Sequence, residues 1–172
     1  MAEFNTAVSI VLNLEGGYVD HPADSAGETN MGITYGTLKN AIKLGIVPRE
    51  TDVRDLTKQQ AMDIYKAFYW QPLKLEKICS QSVANKILEV SVNVGLHWGT
   101  VIFQRAVHSS TGEELKEDGK LGPKTLVAIN NAPSGALLAS ARSEQAGYYR
   151  CIITKSPSQS CFAAGWFARA YK

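Results

Sequence analysis

Glu15 closes the run F-N-T-A-V-S-I-V-L-N-L-E and stands directly before Gly16-Gly17. Phe4, Val8, Val11 and Glu15 fall at i, i+4, i+7 and i+11, so a helix carries its apolar stripe straight into a carboxylate. A carboxylate packed at the edge of a core loses hydration, which disfavours its charged form and favours the form that holds a proton. A general acid needs that property. In glycoside cleavage one carboxyl protonates the leaving oxygen while a second activates water or faces the anomeric centre from the opposite side. Asp20, Asp24 and Glu28 all lie on the segment that follows Glu15, where a loop can bring one of them opposite it. The pattern permits this chemistry without requiring it. Glu15 can equally cap its own helix end or pair with a buried arginine, and the acidic loop can be a solvated turn.

Other chemistries find less support. His21, His97 and His108 are too few and too scattered for a metal site, and neither a metal nor any other cofactor is expected. No G-x-S-x-G elbow occurs, and no cysteine has a histidine partner by motif. Cys79, Cys151 and Cys161 are odd in number and read as buried or inert thiols, although Cys151 and Cys161 have a spacing that a helical hairpin could bring together. Aromatic residues at helical spacing, such as Tyr65, Tyr69 and Trp70, read mainly as core. Tyr18 and Tyr35 flank the acidic loop and are the better cleft candidates, with Trp98 as a further ring able to stack on a sugar. Asn93 precedes Gly95 at the end of an apolar stripe, where it points into a cleft or caps its helix.

The elements that must hold these residues are helices. Gly16 or Gly17 supplies a left-handed cap to the first. From Tyr18 to Thr34 the chain is too rich in Gly, Asp and Pro for a helix, and a short hairpin or loop is expected. Thr34 or Thr37 caps a helix through Ile42, and Thr57-Lys58-Gln59-Gln60 forms a capping box for a helix carrying Ala61, Ile64, Tyr65 and Phe68 until Trp70-Gln71-Pro72. A helix from about Ser82 carries Val83, Ile87, Val90 and Val94; another spans Trp98 to Val107 and breaks at Gly112. Pro123 suits the first turn of the next helix, Ser134 caps a longer one with Leu138, Ala141, Gln145, Tyr149 and Ile152, and a last helix holds Phe162, Trp166 and Ala170. The fold class is mainly α, a helical domain with any β structure confined to residues 18–34.

The chain of 172 residues is long enough for one sizeable core, and 45% hydrophobic with 20% charged residues is ordinary globular composition. A net charge of +2 with scattered basic residues gives no reason to expect nucleic acid. The N-terminus lacks a basic leader and its apolar stretch is broken by Asn5, Asn13 and Glu15, so it does not read as a signal peptide. No run reaches the roughly 20 apolar residues of a membrane span. A monomer made in a cytoplasm is expected.

The run E-G-G-Y-V-D-H-P-A-D-S-A-G-E-T-N-M-G-I-T resembles the signature of the family 108 glycoside hydrolases, the N-acetylmuramidases found as phage endolysins and bacterial secreted muramidases. The resemblance continues through A-M-D-I-Y-K-A-F-Y-W and K-I-L-E-V-S-V-N-V-G, and the segment D-G-K-L-G-P-K-T, with the closing G-W-F-A-R, is similar to the family's helical peptidoglycan-binding module. It implies a lysozyme-like catalytic part over 1–110 and a peptidoglycan-binding part over 111–172, packed as one compact unit. By this resemblance Glu15 is the catalytic acid that cleaves the bond from N-acetylmuramic acid to N-acetylglucosamine. Asp24, nine residues on, matches the aspartate of related phage lysozymes, while the water-positioning threonine falls on Thr29 or Asn30. Relatives often carry Asp where Glu89 stands, which makes Glu89 no catalytic candidate. Arg105, Lys120 and Lys124 are able to meet acidic stem peptides. The partner is the peptidoglycan glycan strand, reached in the periplasm or cell wall by an external export route such as a holin. The alternatives are a lytic transglycosylase and a non-enzymatic peptidoglycan-binding or phage structural module.

Overall fold

The structure is a computed structural model that describes residues 1–19 and 28–172. Its helices are α1 Phe4–Glu15, α2 Tyr35–Lys43, α3 Lys58–Tyr65, α4 Gln81–Thr111, α5 Pro123–Asn131, α6 Ser134–Lys155 and α7 Ala163–Ala170. The strands, β1 Thr29–Asn30 and β2 Ile33–Thr34, pair antiparallel with Thr29 opposite Thr34. Val19 extends this hairpin by an isolated bridge to Thr29. The mainly α expectation, with its small β element inside 18–34, is what the structure contains.

Local signals explain most element ends. The Thr57 hydroxyl accepts from the Gln60 backbone while the Gln60 side chain accepts from the Thr57 N–H, completing the capping box on α3. Thr34 caps α2 by accepting from Thr37 N at 3.2 Å. Gly112 ends α4 in the left-handed conformation, and Pro123 opens α5. After Tyr65 the chain widens into a π turn over Lys66–Trp70, which turns Trp70 inward, edge-on to Phe4 with ring centroids 5.5 Å apart.

Three expectations are corrected. Gly16 has a positive φ of 73° but an extended ψ of −160°, so α1 stops without the left-handed cap. Ser134 is the first residue of α6 and makes no capping bond, because Pro133 stands at the cap position. The cysteines, expected as buried or inert, are exposed and free.

α4 is two helices joined at a corner. Gly95 has φ 83° and ψ 159°, far from helical values. Eight residues of straight helix span roughly 12 Å, yet a Cβ added to Gly99 would stand 2.8 Å from Ser91 Cα. The second half of the helix therefore folds back against the first. α1 starts beside that first half, with Glu3 N donating to Gln81 Oε1 and Gln81 Nε2 returning to Glu3 O. The main core is continuous from Val8 and Val11 through Ile64, Tyr65, Ile87, Leu88 and Phe103 to Leu137 and Ala141. A smaller cluster of Ala146, Tyr149 and Ala170 joins α6 to α7.

Candidate active site

The apolar face of α1, buried through Ala7, Val8, Val11 and Leu12, delivers Glu15 to the turn of the hairpin. That turn consists of Met31 and Gly32, both at positive φ (49° and 74°), the geometry of a tight two-residue connection whose twist matches its strands. A Cβ on Gly32 would lie 2.6 Å from Tyr65 Oη and 2.9 Å from Glu15 Oε2. The turn thus approaches the carboxylate as closely as a backbone can. Tyr65 Oη donates to Met31 O at 2.8 Å and fixes the turn from the α3 side. Burial, and then the negative charge of Glu15, push the Tyr65 phenol well above its ordinary range, and the same causes act in the same order on Tyr69.

The other oxygen of Glu15 is paired. Arg169 Nη1, from α7, stands 3.1 Å from Glu15 Oε1, and both side chains are about one-fifth exposed. The sequence left open a pairing with a buried arginine; an arginine pair is present, with Arg169 partly exposed rather than buried. Arg169 also faces Glu89 of α4, its Nε 3.9 Å from Oε1, while Lys86 Nζ stands 2.9 Å from Glu89 Oε2. Neither contact to Glu89 is aligned as a hydrogen bond, so this buried carboxylate is matched in charge but not in donors. Burial lowers the Lys86 pKa while Glu89 opposes the shift, and Lys86 Nζ donates to the carbonyls of Ala170 and Arg169 at 3.1 and 3.3 Å.

The remaining candidates divide. Thr29 is half-buried in β1, with its backbone spent on Val19 and β2. Asn30 is buried, and its amide nitrogen donates to Val53 O at 2.9 Å and Arg54 O at 3.2 Å, so its side chain ties the hairpin to the segment before α3. Asp24 and Asp20 lie outside the described residues, as does His21. Glu28 is taken by Arg54, whose Nη2 is 2.6 Å from Oε1; this bond raises the Arg54 pKa, and the guanidinium also stands 5.6 Å from the centre of the Tyr18 ring. Tyr35 is exposed as the first residue of α2. Asn93 accepts from Tyr149 Oη at 2.6 Å, and Gln145 Nε2 donates to the same oxygen.

Trp98 is 41% exposed and packs on Tyr148 with ring centroids 5.3 Å apart. Together they wall a groove of about 590 Å³ between α4 and α6, rimmed by Arg105, Glu144 and Lys155. Arg105 is engaged by Glu117 at 2.7 Å rather than free for a ligand, whereas Lys120 and Lys124 are exposed. Among the described residues, no group of three His, Cys, Asp or Glu side chains could hold a metal ion, and no helix is long and apolar enough to cross a membrane.

Gly32, Tyr65, Glu89, Lys86 and Arg169 were not singled out as site residues by sequence. Only the Lys86–Glu89 pair left a signal, as opposite charges three apart inside an apolar helical run. Arg169 stands in the closing G-W-F-A-R, but nothing in that motif refers to Glu15, 154 positions away.

A glutamate at the end of a first helix, faced by a small hairpin within a mainly α fold, defines the lysozyme-like class of hydrolase. The model of the family described as glycosyl hydrolase 108 matches residues 8–95, just over half the chain, and the model described as a predicted peptidoglycan domain matches residues 98–171. The chain belongs to the glycosyl hydrolase 108 family. It is a glycoside hydrolase with a peptidoglycan domain, hence a peptidoglycan hydrolase. Among solved structures it is similar to the one titled "Structure of Brucella abortus SagA", at 29% identity and a TM-score of 0.77, covering 97% of this chain and 88% of that one. No curated protein matches it.

Proposed function

We propose that the chain is an N-acetylmuramidase that hydrolyses the β-1,4 bond from N-acetylmuramic acid to N-acetylglucosamine in peptidoglycan, with Glu15 as general acid. The observation that carries this reading is the placement of Glu15: a partly exposed carboxylate at a helix end, packed against a hairpin turn that only glycine allows to come so near. Protonated Glu15 gives its proton to the bridging oxygen, and Asp24 acts on the opposite face of the sugar, directing a water to the anomeric carbon. Thr29 is the first residue of β1 and is the better water-positioning candidate, because Asn30 is buried with its amide nitrogen bonded to backbone. Tyr18 and Tyr35 flank the segment that carries Asp24, and Trp98 offers a ring to the strand farther along. The part from about residue 111 onward holds the substrate.

Glu15→Gln tests the reading. It is expected to keep its melting temperature and to lose at least about 100-fold in turnover, the lower bound for acid–base catalysis. Asp24→Asn is expected to fall comparably while Asp20→Asn and Glu28→Gln stay active. Mass spectrometry of digested sacculi decides the bond and the chemistry. Hydrolysis leaves a reducing muramic acid end, whereas a product lighter by one water identifies a transglycosylase. NMR of fresh product is expected to show the α-anomer first, the mark of inversion.

A further inference from the structure

An acid that must hold a proton stands here beside an arginine, and the arginine stands between two carboxylates. Arg169 Nη1 is 3.1 Å from Glu15 Oε1 and Arg169 Nε is 3.9 Å from Glu89 Oε1. That Glu89 oxygen is buried and has no hydrogen-bond donor, so the better-placed carboxylate is Glu15 and the unfilled one is Glu89. We propose that Arg169 is a positioning residue with two seats: it holds ionised Glu15, and moves onto Glu89 when Glu15 takes its proton from solvent. The inference rests on the reading of Glu15 as the general acid.

The surroundings make both seats usable. Among the described residues, the charged and titratable groups facing Glu15 are Arg169 from α7 and the phenols of Tyr65 and Tyr69. Those facing Glu89 are Lys86 on its own helix, Arg169 and the Tyr149 phenol of α6, while Arg142 of α6, which acts on Lys86, and Lys172 line the same cavity. With Glu15 ionised, Lys86, Glu89, Arg169 and Glu15 alternate in sign and sum to zero. When Glu15 is neutral its attraction for Arg169 disappears, while Glu89 remains charged less than 4 Å away. The guanidinium needs only a small rotation to meet an oxygen that lacks a donor. Lys86, held by the carbonyls of Arg169 and Ala170, fixes the end of α7 during that movement.

The arrangement predicts opposite shifts in the alkaline limb of the kcat/KM profile, which reports loss of the acid's proton in the free enzyme. Removing the cation, as in Arg169→Met, withdraws a partner of ionised Glu15, so the proton is kept to higher pH and the limb moves up. Removing the second seat by the charge-neutral double substitution Lys86→Met, Glu89→Gln leaves Arg169 with Glu15 alone, so the limb moves down. A displacement larger than the scatter between replicate profiles, opposite in sign for the two variants, is expected. Arg169→Lys restores the limb toward its original position. The double substitution avoids stranding a buried charge, and circular dichroism of each full-length variant confirms folding.

The profiles are measured on solubilised glycan strands, with Glu15→Gln in parallel. Limbs that stay in place, or move together in one direction, overturn the two-seat arrangement if Glu15→Gln is inactive. An active Glu15→Gln enzyme overturns the acid assignment, and this inference with it.

Discussion

At Gly32 backbone conformation and side-chain packing impose the same demand. Its φ of 74° suits glycine, and the space a Cβ would need is already filled by Tyr65 Oη and the Glu15 side chain. Gly32→Ala is therefore expected to destabilise by at least about 1 kcal/mol, the lower range for a side chain held at such a φ, and to lower turnover by displacing Glu15. Met31 is the control. It also has a positive φ, 49°, but no Cβ clash forces glycine there: its carbonyl accepts from Tyr65, its side chain packs half-buried on the core, and asparagine is favoured at this turn position. Met31→Asn exchanges this packing for a better turn residue, and is expected to lower the melting temperature less than Gly32→Ala does and to leave activity in place. Equal losses for both substitutions in thermal unfolding would show that backbone conformation alone matters at the turn. The same contrast explains what was legible here. Glu15 could be picked out because its helix, its stripe and the glycines after it are adjacent in sequence. Arg169 and Tyr65 could not, because neither has a local signal that refers to Glu15.

The elements divide in the same way. Capping boxes, proline starts and glycine stops act within a turn, so the ends of α2, α3 and α5 follow directly from their residues. The corner in α4 was half legible. The stripe ending at Val94 and the separate helix from Trp98 anticipated a break, but not that Gly99 would be pressed onto Ser91. This contact sets the angle between the half of α4 that carries Lys86 and Glu89 and the half that carries Trp98, and the two family models meet in the same place. A methyl at Gly99 meets backbone, which cannot move aside as a flexible side chain can, and Gly95→Ala would hold a side chain at φ 83°. Each substitution is expected to cost about 1–3 kcal/mol. Under the proposed function each also weakens sacculus binding, since it reorients the groove of Trp98 and Tyr148 against the helices that carry Glu15 and Glu89. Unchanged binding and unfolding in Gly99→Ala would mean that the corner opens freely and does not set the groove.

At the scale of the whole molecule, one core runs from α1 to α6, and α7 closes on both parts through Arg169 and through Ala170 beside Tyr149. A chain built this way should unfold once, and its buried phenols provide the measurement. Burial raises Tyr65 and Tyr69 on the side of Glu15 and Tyr148 and Tyr149 on α6, with Tyr149 pushed up to about 12. In the unfolded chain these phenols ionise near pH 10. The folded protein therefore binds more protons than the unfolded one above that pH, and stability falls as pH rises. The phenols' contribution is fully present below about pH 10 and is lost as pH climbs through the folded values, so base should unfold the protein in the window that opens above about pH 10. Because both pairs belong to one cooperative structure, phenolate absorbance from all four should appear together with the loss of helical circular dichroism. Two separated losses of helical circular dichroism, each with its own rise in phenolate absorbance, would show instead that the two parts unfold independently, and that α7 does not bind them into one unit.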